Sequence, residues 1–327
     1  MLATLFHPTN IKQMTEILHT GDNLEYMQTL PSESIDLIYS DILYGTGRDF
    51  GNYKDIKANR KDVEEFYIPH IKEMHRLLKK TGSIYLQMDT RINHYIRLIL
   101  ENIFGVKNFI NEIVWKKRNN TNNIETNYFN LNHDLILWYS KSKNYIFNNA
   151  YLPLSSETIK RYNRKDENGF YCLQPIYNKS GNYNKYTTLT LNGKEYKGFY
   201  SWTQKTLDKR LQENYIVEEN TNEYLCYRKY LQTSKGSQIS DVWTDLIEGS
   251  GIKREYQTQK SIELMSRIIK ASSNVGDVCA DFFCGSGSFG VAAKKLNRNV
   301  ILNDINPEAI KLSQKRLNDA CDLFNCC

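Results

Sequence analysis

The most constraining feature of this 327-residue chain lies near its end, where the apolar run Val278-Cys279-Ala280-Asp281-Phe282 leads into Gly285-Ser286-Gly287-Ser288-Phe289-Gly290. A short apolar run feeding a glycine loop and a helix-forming stretch, here Ser288 to Leu296, reads as a strand-loop-helix unit of a parallel sheet. Val300 to Leu302 reads as the next strand, and Asp304 follows it, 19 residues after Gly285. A carboxylate there can accept hydrogen bonds from ribose hydroxyls, while a glycine loop lets a ligand approach the backbone. Together these residues imply an adenosine-containing cofactor, either a dinucleotide or S-adenosylmethionine.

The same α/β pattern occupies the first part of the chain. Ile35 to Ser40 (IDLIYS) suits a buried parallel strand with a site at its carboxyl end. Val63, Phe66, Tyr67, His70, Ile71, Met74, Leu77 and Leu78 recur at three- and four-residue steps, which predicts a helix, and Gly82 is placed to end it after Lys79 and Lys80. Ser83 to Met88, Ile110 to Trp115 and Leu135 to Tyr139 read as strands. The pattern restarts near Thr258: Ile262, Met265, Ile268 and Ile269 mark a helix, and Asn306 followed by Pro307 opens a last one, with Ile310, Ser313 and Leu317 on one face. Between these parts, residues 141–240 lack sustained periodicity and carry turn-forming runs such as NKSGNYNKY and LNGKEYKG. The expected division is therefore 11–140, an insert at 141–240, and 241–320.

Charge singles out the insert. The chain has 43 Lys+Arg against 37 Asp+Glu, and residues 141–240 hold 16 basic and 9 acidic residues, net +7, with 13 of the 23 tyrosines. Basic residues interleaved with aromatics can neutralise phosphates and stack on bases. No apolar run approaches the ~18 residues of a membrane helix. The start MLATLFHPTNIKQM lacks a basic segment followed by an apolar core and a cleavage site, so a cytoplasmic protein is expected. The seven cysteines, at 172, 226, 279, 284, 321, 326 and 327, show no paired Cys-x-x-Cys spacing, so neither a disulfide framework nor a metal site is expected.

The loop Asp41-Ile42-Leu43-Tyr44-Gly45-Thr46-Gly47, delivered by IDLIYS, carries a family likeness. The stretch GDNLEYMQTLPSESIDLIYSDILYGTGRDF resembles the opening of the β-class amino-methyltransferases of DNA, including type II enzymes and the methylation subunits of type III restriction systems, whose signature here is Asp-Pro-Pro-Tyr. NHDLILWYSKSKNYIFN, SDVWTDL, TQKSIELMSRIIKASS and DFFCGSGS with Asp304 extend the likeness in order over most of residues 11–320. It implies a three-layer αβα S-adenosylmethionine-dependent methyltransferase fold with a mostly parallel sheet. The order is permuted: a catalytic half at 11–140, a target-recognition insert at 141–240 and a cofactor half at 241–320.

The resemblance implies methyl transfer to N6 of an adenine flipped out of double-stranded DNA. The exocyclic amine is a poor nucleophile because its lone pair is delocalised into the ring, so acceptors must orient it. By resemblance, the Asp41 carboxylate and the Ile42 carbonyl accept from the two N–H bonds and Tyr44 stacks on the base. For the cofactor, the resemblance assigns Asp22 to the adenine, Thr258, Gln259 and Lys260 to the methionine end, Asp281 to the amino group, Gly285 and Gly287 to close backbone approach, and Asp304 to the ribose, with Asp41 beside them. It also admits a restriction endonuclease partner and a homodimer. His133, before a strand, reads as a structural hydrogen-bonder. Departures from the family are Ile42 and Leu43 for both prolines, Ser261 for a third and Phe282 for the proline of Asp-Pro-Phe. Without prolines the loop is expected to be slackened. Cytosine-N4 transfer, a silent DNA-binding relic and a nicotinamide site are the competing readings; the last leaves Asp41 to Gly47 without a role.

Overall fold

Eight strands pair into one sheet in the computed structural model: β1 (Glu16–Thr20), β2 (Ile35–Asp41), β3 (Leu78–Met88), β4 (Phe109–Lys116), β5 (His133–Ser140), β6 (Val242–Trp243), β7 (Val278–Asp281) and β8 (Asn299–Asp304). The structure describes residues 15–49, 51, 55–117, 127, 129–176, 186–199, 202–218, 225–246 and 260–322. The strand order is β1-β8-β7-β2-β3-β5-β4-β6. The first five in that order run parallel, β5 is antiparallel to both β3 and β4, and β6 is parallel to β4. Strands from the two ends of the chain thus sit side by side, β7 between β8 and β2.

Alternation along the strands builds two cores. Ile38, Ile84 and Leu86 face one layer, where they pack with Met27 of α1 (Asn23–Thr29), Tyr67 and Ile71 of α2 (Arg60–Leu77), and Ile96 and Leu100 of α3 (Asn93–Phe104). Leu37, Tyr39 and Tyr85 face the other, with Leu264 and Ile268 of α4 (Ile262–Ser272), Phe289 of α5 (Ser288–Lys295), and Leu317 of α6 (Pro307–Asp322). The result is the three-layer αβα arrangement, with a mostly parallel sheet, that the family likeness implied. No helix among the described residues is long and apolar enough to cross a membrane.

Local signals explain most element ends. Asn59 caps α2 by accepting from the Asp62 amide at 3.0 Å, and Asn306 accepts from the Glu308 amide at 3.0 Å at the start of α6. The end of α2 differs from the sequence expectation: the helix stops at Leu77, and Leu78 pairs with Ile35 as the first residue of β3. Gly82 is therefore not a helix stop. It lies within β3 where a Cβ would come 3.0 Å from the Asp36 carbonyl, so close backbone approach, not a cap, requires glycine.

The chain divides into two compact units, Met1–Ala150 with Ile239–Cys327, and Tyr151–Gln238. Residues 141–150 belong to the first, where Asn148 donates to the carbonyls of Lys270 at 3.0 Å and Ser273 at 3.1 Å. The second unit holds a four-stranded antiparallel sheet of Ile216–Glu218, Leu225–Tyr230, Gly169–Pro175 and Arg164–Asp166, in that order. A hairpin of Tyr186–Leu191 and Lys194–Phe199 turns at Asn192-Gly193, both with positive φ, and its Leu189 and Tyr196 share a small core with Leu207, Ile216 and Leu225. Arg210 lies 4.0 Å from the Trp202 ring centroid and Lys165 5.3 Å from that of Phe170.

Candidate functional site

Because β8, β7 and β2 are parallel neighbours, their carboxyl ends open together into a cavity of about 400 Å³ whose wall includes Asp22, Asp41, Ile42, Tyr44, Lys260, Asp281, Gly285 and Asp304. Asp304 ends β8 and accepts from the amides of Gly285 at 2.8 Å and Asn306 at 2.9 Å. Asp281 ends β7, is 3% exposed and accepts from the Phe283 amide at 3.0 Å. Burial pushes its carboxyl up to about 8, against the opposing pull of the Phe283 amide and the Ser40 hydroxyl. Burial also raises Asp304. Asp22 caps α1, accepting from the Glu25 amide at 2.9 Å.

The two glycines have different duties. Gly285 has φ +50° and a Cβ there would meet nothing, so its backbone faces open space on the cavity wall. Gly287, at φ +70°, caps α5, and a Cβ would sit 2.5 Å from Ser313 Oγ of α6. Its smallness serves helix packing, and it is not part of the cavity wall. Thr258 and Gln259 lie outside the described residues.

At the β2 end, Asp41 Oδ1 accepts from the Tyr44 hydroxyl at 2.7 Å and Oδ2 is 3.1 Å from Lys260 Nζ. The Tyr44 hydroxyl is also 3.1 Å from Asp134 Oδ2, and Lys260 Nζ lies 3.4 Å from the phenol oxygen and 3.9 Å from Asp134 Oδ2. Burial raises Asp41, while Lys260 and the Tyr44 hydroxyl oppose the rise. Burial, reinforced by Asp41 and Asp134, holds the Tyr44 phenol well above its usual range, so it stays a donor.

The loop is tied down despite its missing prolines, which overturns the expectation of a slackened one. The Ile42 amide donates to the Gln87 carbonyl at 3.1 Å, and the residue is 2% exposed. The Tyr67 hydroxyl donates to the Leu43 carbonyl at 3.0 Å. Buried Asp55 accepts from the Gly45 amide at 3.1 Å, the Thr46 amide at 2.7 Å and the Thr46 hydroxyl at 2.5 Å. Among the described residues no donor reaches the Ile42 carbonyl, which is left as an acceptor. Asp55, Gln87 and Asp134 were not recognised in the sequence. Asp55 sits in a stretch without periodicity, and Asp134 ends a polar run that overlaps the start of β5.

Among the described residues, the charged side chains on the cavity wall are five aspartates, at 22, 41, 55, 281 and 304, and one lysine, Lys260. A dinucleotide would bring a pyrophosphate against these carboxylates, whereas S-adenosylmethionine brings an ammonium and a sulfonium. The donor set fits the latter and disfavours the nicotinamide reading.

The permuted αβα sheet with an acid-lined cavity at its carboxyl edge is the S-adenosylmethionine-dependent methyltransferase fold that the resemblance implied. More narrowly, the chain belongs to the DNA methylase family of N6 and N4 enzymes, whose model matches residues 35–315. It is 31% identical over 296 residues to the type II methyltransferase M.EcaI of Enterobacter cloacae, covering 86% of this chain and 64% of that protein. It is 26% identical over 320 residues to the DNA adenine methyltransferase YhdJ of Escherichia coli K12, covering 98% of this chain and 88% of that protein. Among solved structures, the cytosine-N4-specific PvuII DNA methyltransferase shares the fold, with a TM-score of 0.50 and 16% identity over 97% of this chain and 95% of the other.

Proposed function

We propose that this chain transfers a methyl group from S-adenosylmethionine to N6 of an adenine flipped out of double-stranded DNA. The observation that carries the reading is that Asp41, with its carboxylate, and Ile42, whose carbonyl takes no donor among the described residues, line the same cavity as Gly285, Asp281 and Asp304. Two acceptors of this kind can take the two N–H bonds of one amino group and turn its lone pair toward the methyl donor. When bound, the cofactor supplies the electrophilic methyl. Asp281 accepts from the ammonium of its methionine end, Asp304 from the ribose hydroxyls, Gly285 lets it lie against the loop backbone, and Asp22 lies by its adenine. Lys260 caps the methionine carboxylate, with Thr258 and Gln259 beside it in the chain. Tyr44 gives the flipped base a stacking surface.

The likeness to YhdJ supports adenine as the target. The net +7 of residues 141–240 and the Arg and Lys side chains beside aromatic rings support the unit Tyr151–Gln238 as the part that reads the DNA sequence. The family likeness adds a restriction endonuclease partner and a homodimer to the reading. Incubation with mixed plasmid DNA and labelled S-adenosylmethionine, followed by nucleoside analysis, tests it. N6-methyladenine in one sequence context is the expected product. N4-methylcytosine overturns the choice of base, and no transfer to any DNA overturns the activity.

A further inference from the structure

The reaction as read uses Asp41, Ile42 and Tyr44 but leaves a second buried carboxylate unexplained. Asp134, the second residue of β5, is fully buried, with its Oδ2 3.1 Å from the Tyr44 hydroxyl. Its surroundings fix it. Lys117 Nζ lies 2.5 Å from Oδ1, and the Gln87 amide donates to Oδ2 at 3.0 Å. The Tyr39 hydroxyl donates to Gln87 Oε1 at 2.7 Å, so the NH₂ group of Gln87 must face Asp134. A buried charge with this many partners is costly to assemble and well aimed once assembled.

The Tyr44 phenol has one proton and two carboxylates in reach. It gives the shorter bond, 2.7 Å, to Asp41 Oδ1, and Lys260 holds Asp41 Oδ2. Each oxygen of Asp41 therefore already carries one donor in this state, and an incoming amino group bonds to Asp41 most strongly where one partner withdraws. Tyr44 can withdraw at little cost because a second acceptor already lies 3.1 Å from its oxygen.

We propose that Asp134 is a positioning residue that takes over the Tyr44 hydroxyl when the target amine claims Asp41, freeing the acceptor while keeping the ring in place for the base. The hand-over makes and breaks hydrogen bonds only; the phenol keeps its proton throughout. This inference rests on the methyltransferase reading above, and its test separates the two.

The test is a double-mutant cycle of Asp134→Asn and Tyr44→Phe under single-turnover conditions, with cofactor affinity measured by calorimetry. Asp134→Asn keeps the shape of the side chain, and Lys117, which is partly exposed, can turn to water. In the parent background Asp134→Asn is expected to slow transfer about tenfold, the scale of one charge-assisted hydrogen bond, with cofactor affinity within about twofold. In the Tyr44→Phe background the same change is expected to have almost no further effect, because no hydroxyl remains to be handed over. An equal loss in both backgrounds overturns the inference and leaves the activity standing. A parent that methylates no DNA overturns both. Should Asp134→Asn fail to fold, Gln87→Met, which removes the group aiming Asp134, carries the same comparison: a loss confined to the Tyr44 background supports the hand-over and an equal loss in both overturns it.

Discussion

Ile42→Pro would restore a family proline, and from the sequence alone it should tighten the loop and speed transfer. The structure predicts the opposite. The Ile42 amide donates to the Gln87 carbonyl at 3.1 Å, just beyond the last paired residues of β2 and β3, Asp41 and Gln87. Proline deletes that donor, a net loss of about 1 kcal/mol. Trimming a buried isoleucine by about one carbon costs roughly another 0.5–1.5 kcal/mol. Asp41 already lies in strand β2, so the extended conformation that proline imposes on its predecessor adds no penalty. Stiffening of the unfolded chain returns only about 0.4–1 kcal/mol. The balance is a destabilisation of about 1 kcal/mol and no gain in turnover. Leu43→Pro is the internal control, because among the described residues the Leu43 amide has no partner, while its carbonyl, held by Tyr67, is retained. That variant should be neutral or slightly stabilised. Urea denaturation midpoints at a common m-value, with single-turnover rates, check both. An Ile42→Pro protein as stable as the parent and faster would refute the reasoning.

Asp304→Ala should weaken S-adenosylmethionine binding by about 1.5–3 kcal/mol in calorimetry, the scale of charge-assisted bonds to ribose hydroxyls; an unchanged affinity would remove Asp304 from the site. Asp281 gives a signed pH effect: its folded carboxyl is pushed up to about 8 while an unfolded one titrates near 4, roughly, so the folded state binds the extra proton in between. Stability of the ligand-free protein should therefore fall as pH rises from about 4 to about 8, and Asp281→Asn should flatten that slope. A cationic cofactor should also expel this proton at neutral pH, detected as buffer-dependent binding enthalpy. DNA affinity should drop with salt by about 0.9 in log-log slope for each phosphate neutralised, and a salt-independent affinity would remove the basic insert from the interface.

The parts of the site legible in the sequence are those in which one short segment carries both position and chemistry. β2 and β7 are apolar runs that end on Asp41 and Asp281, and a carboxylate at the end of a parallel strand points to a site without knowledge of the neighbours. Elements that depend on sheet order were not legible. The helical spacing of α2 continues into Leu78, and only the pairing of Leu78 with Ile35 stops the helix there. Asp134 follows His133 at the start of β5, and nothing nearby in sequence shows that antiparallel insertion of β5 beside β3 brings it to Gln87 and Tyr44, residues 47 and 90 positions away. Asp55 belongs to the same class, since its partners Gly45 and Thr46 become apparent only when the loop folds back.

The absent prolines show how a local constraint can be replaced by tertiary ones. Proline restricts a loop through φ alone, so it works in any surroundings and can be read from sequence. Here the restriction comes from three sources: the Gln87 carbonyl, the Tyr67 hydroxyl and the Asp55 carboxylate. Gln87 serves both sides of the site, its carbonyl fixing Ile42 and its side chain aiming Asp134 at Tyr44. The acceptor carbonyl and the aromatic surface are thus tied to the end of a single strand, so a shift of β3 displaces them together. Side-chain changes at Gln87 perturb Tyr44 while sparing Ile42, because only the backbone holds the latter. The site in this chain is consequently more sensitive to packing beneath the sheet edge than a proline-fixed loop would be, and destabilising substitutions beneath it should lower turnover before they unfold the protein.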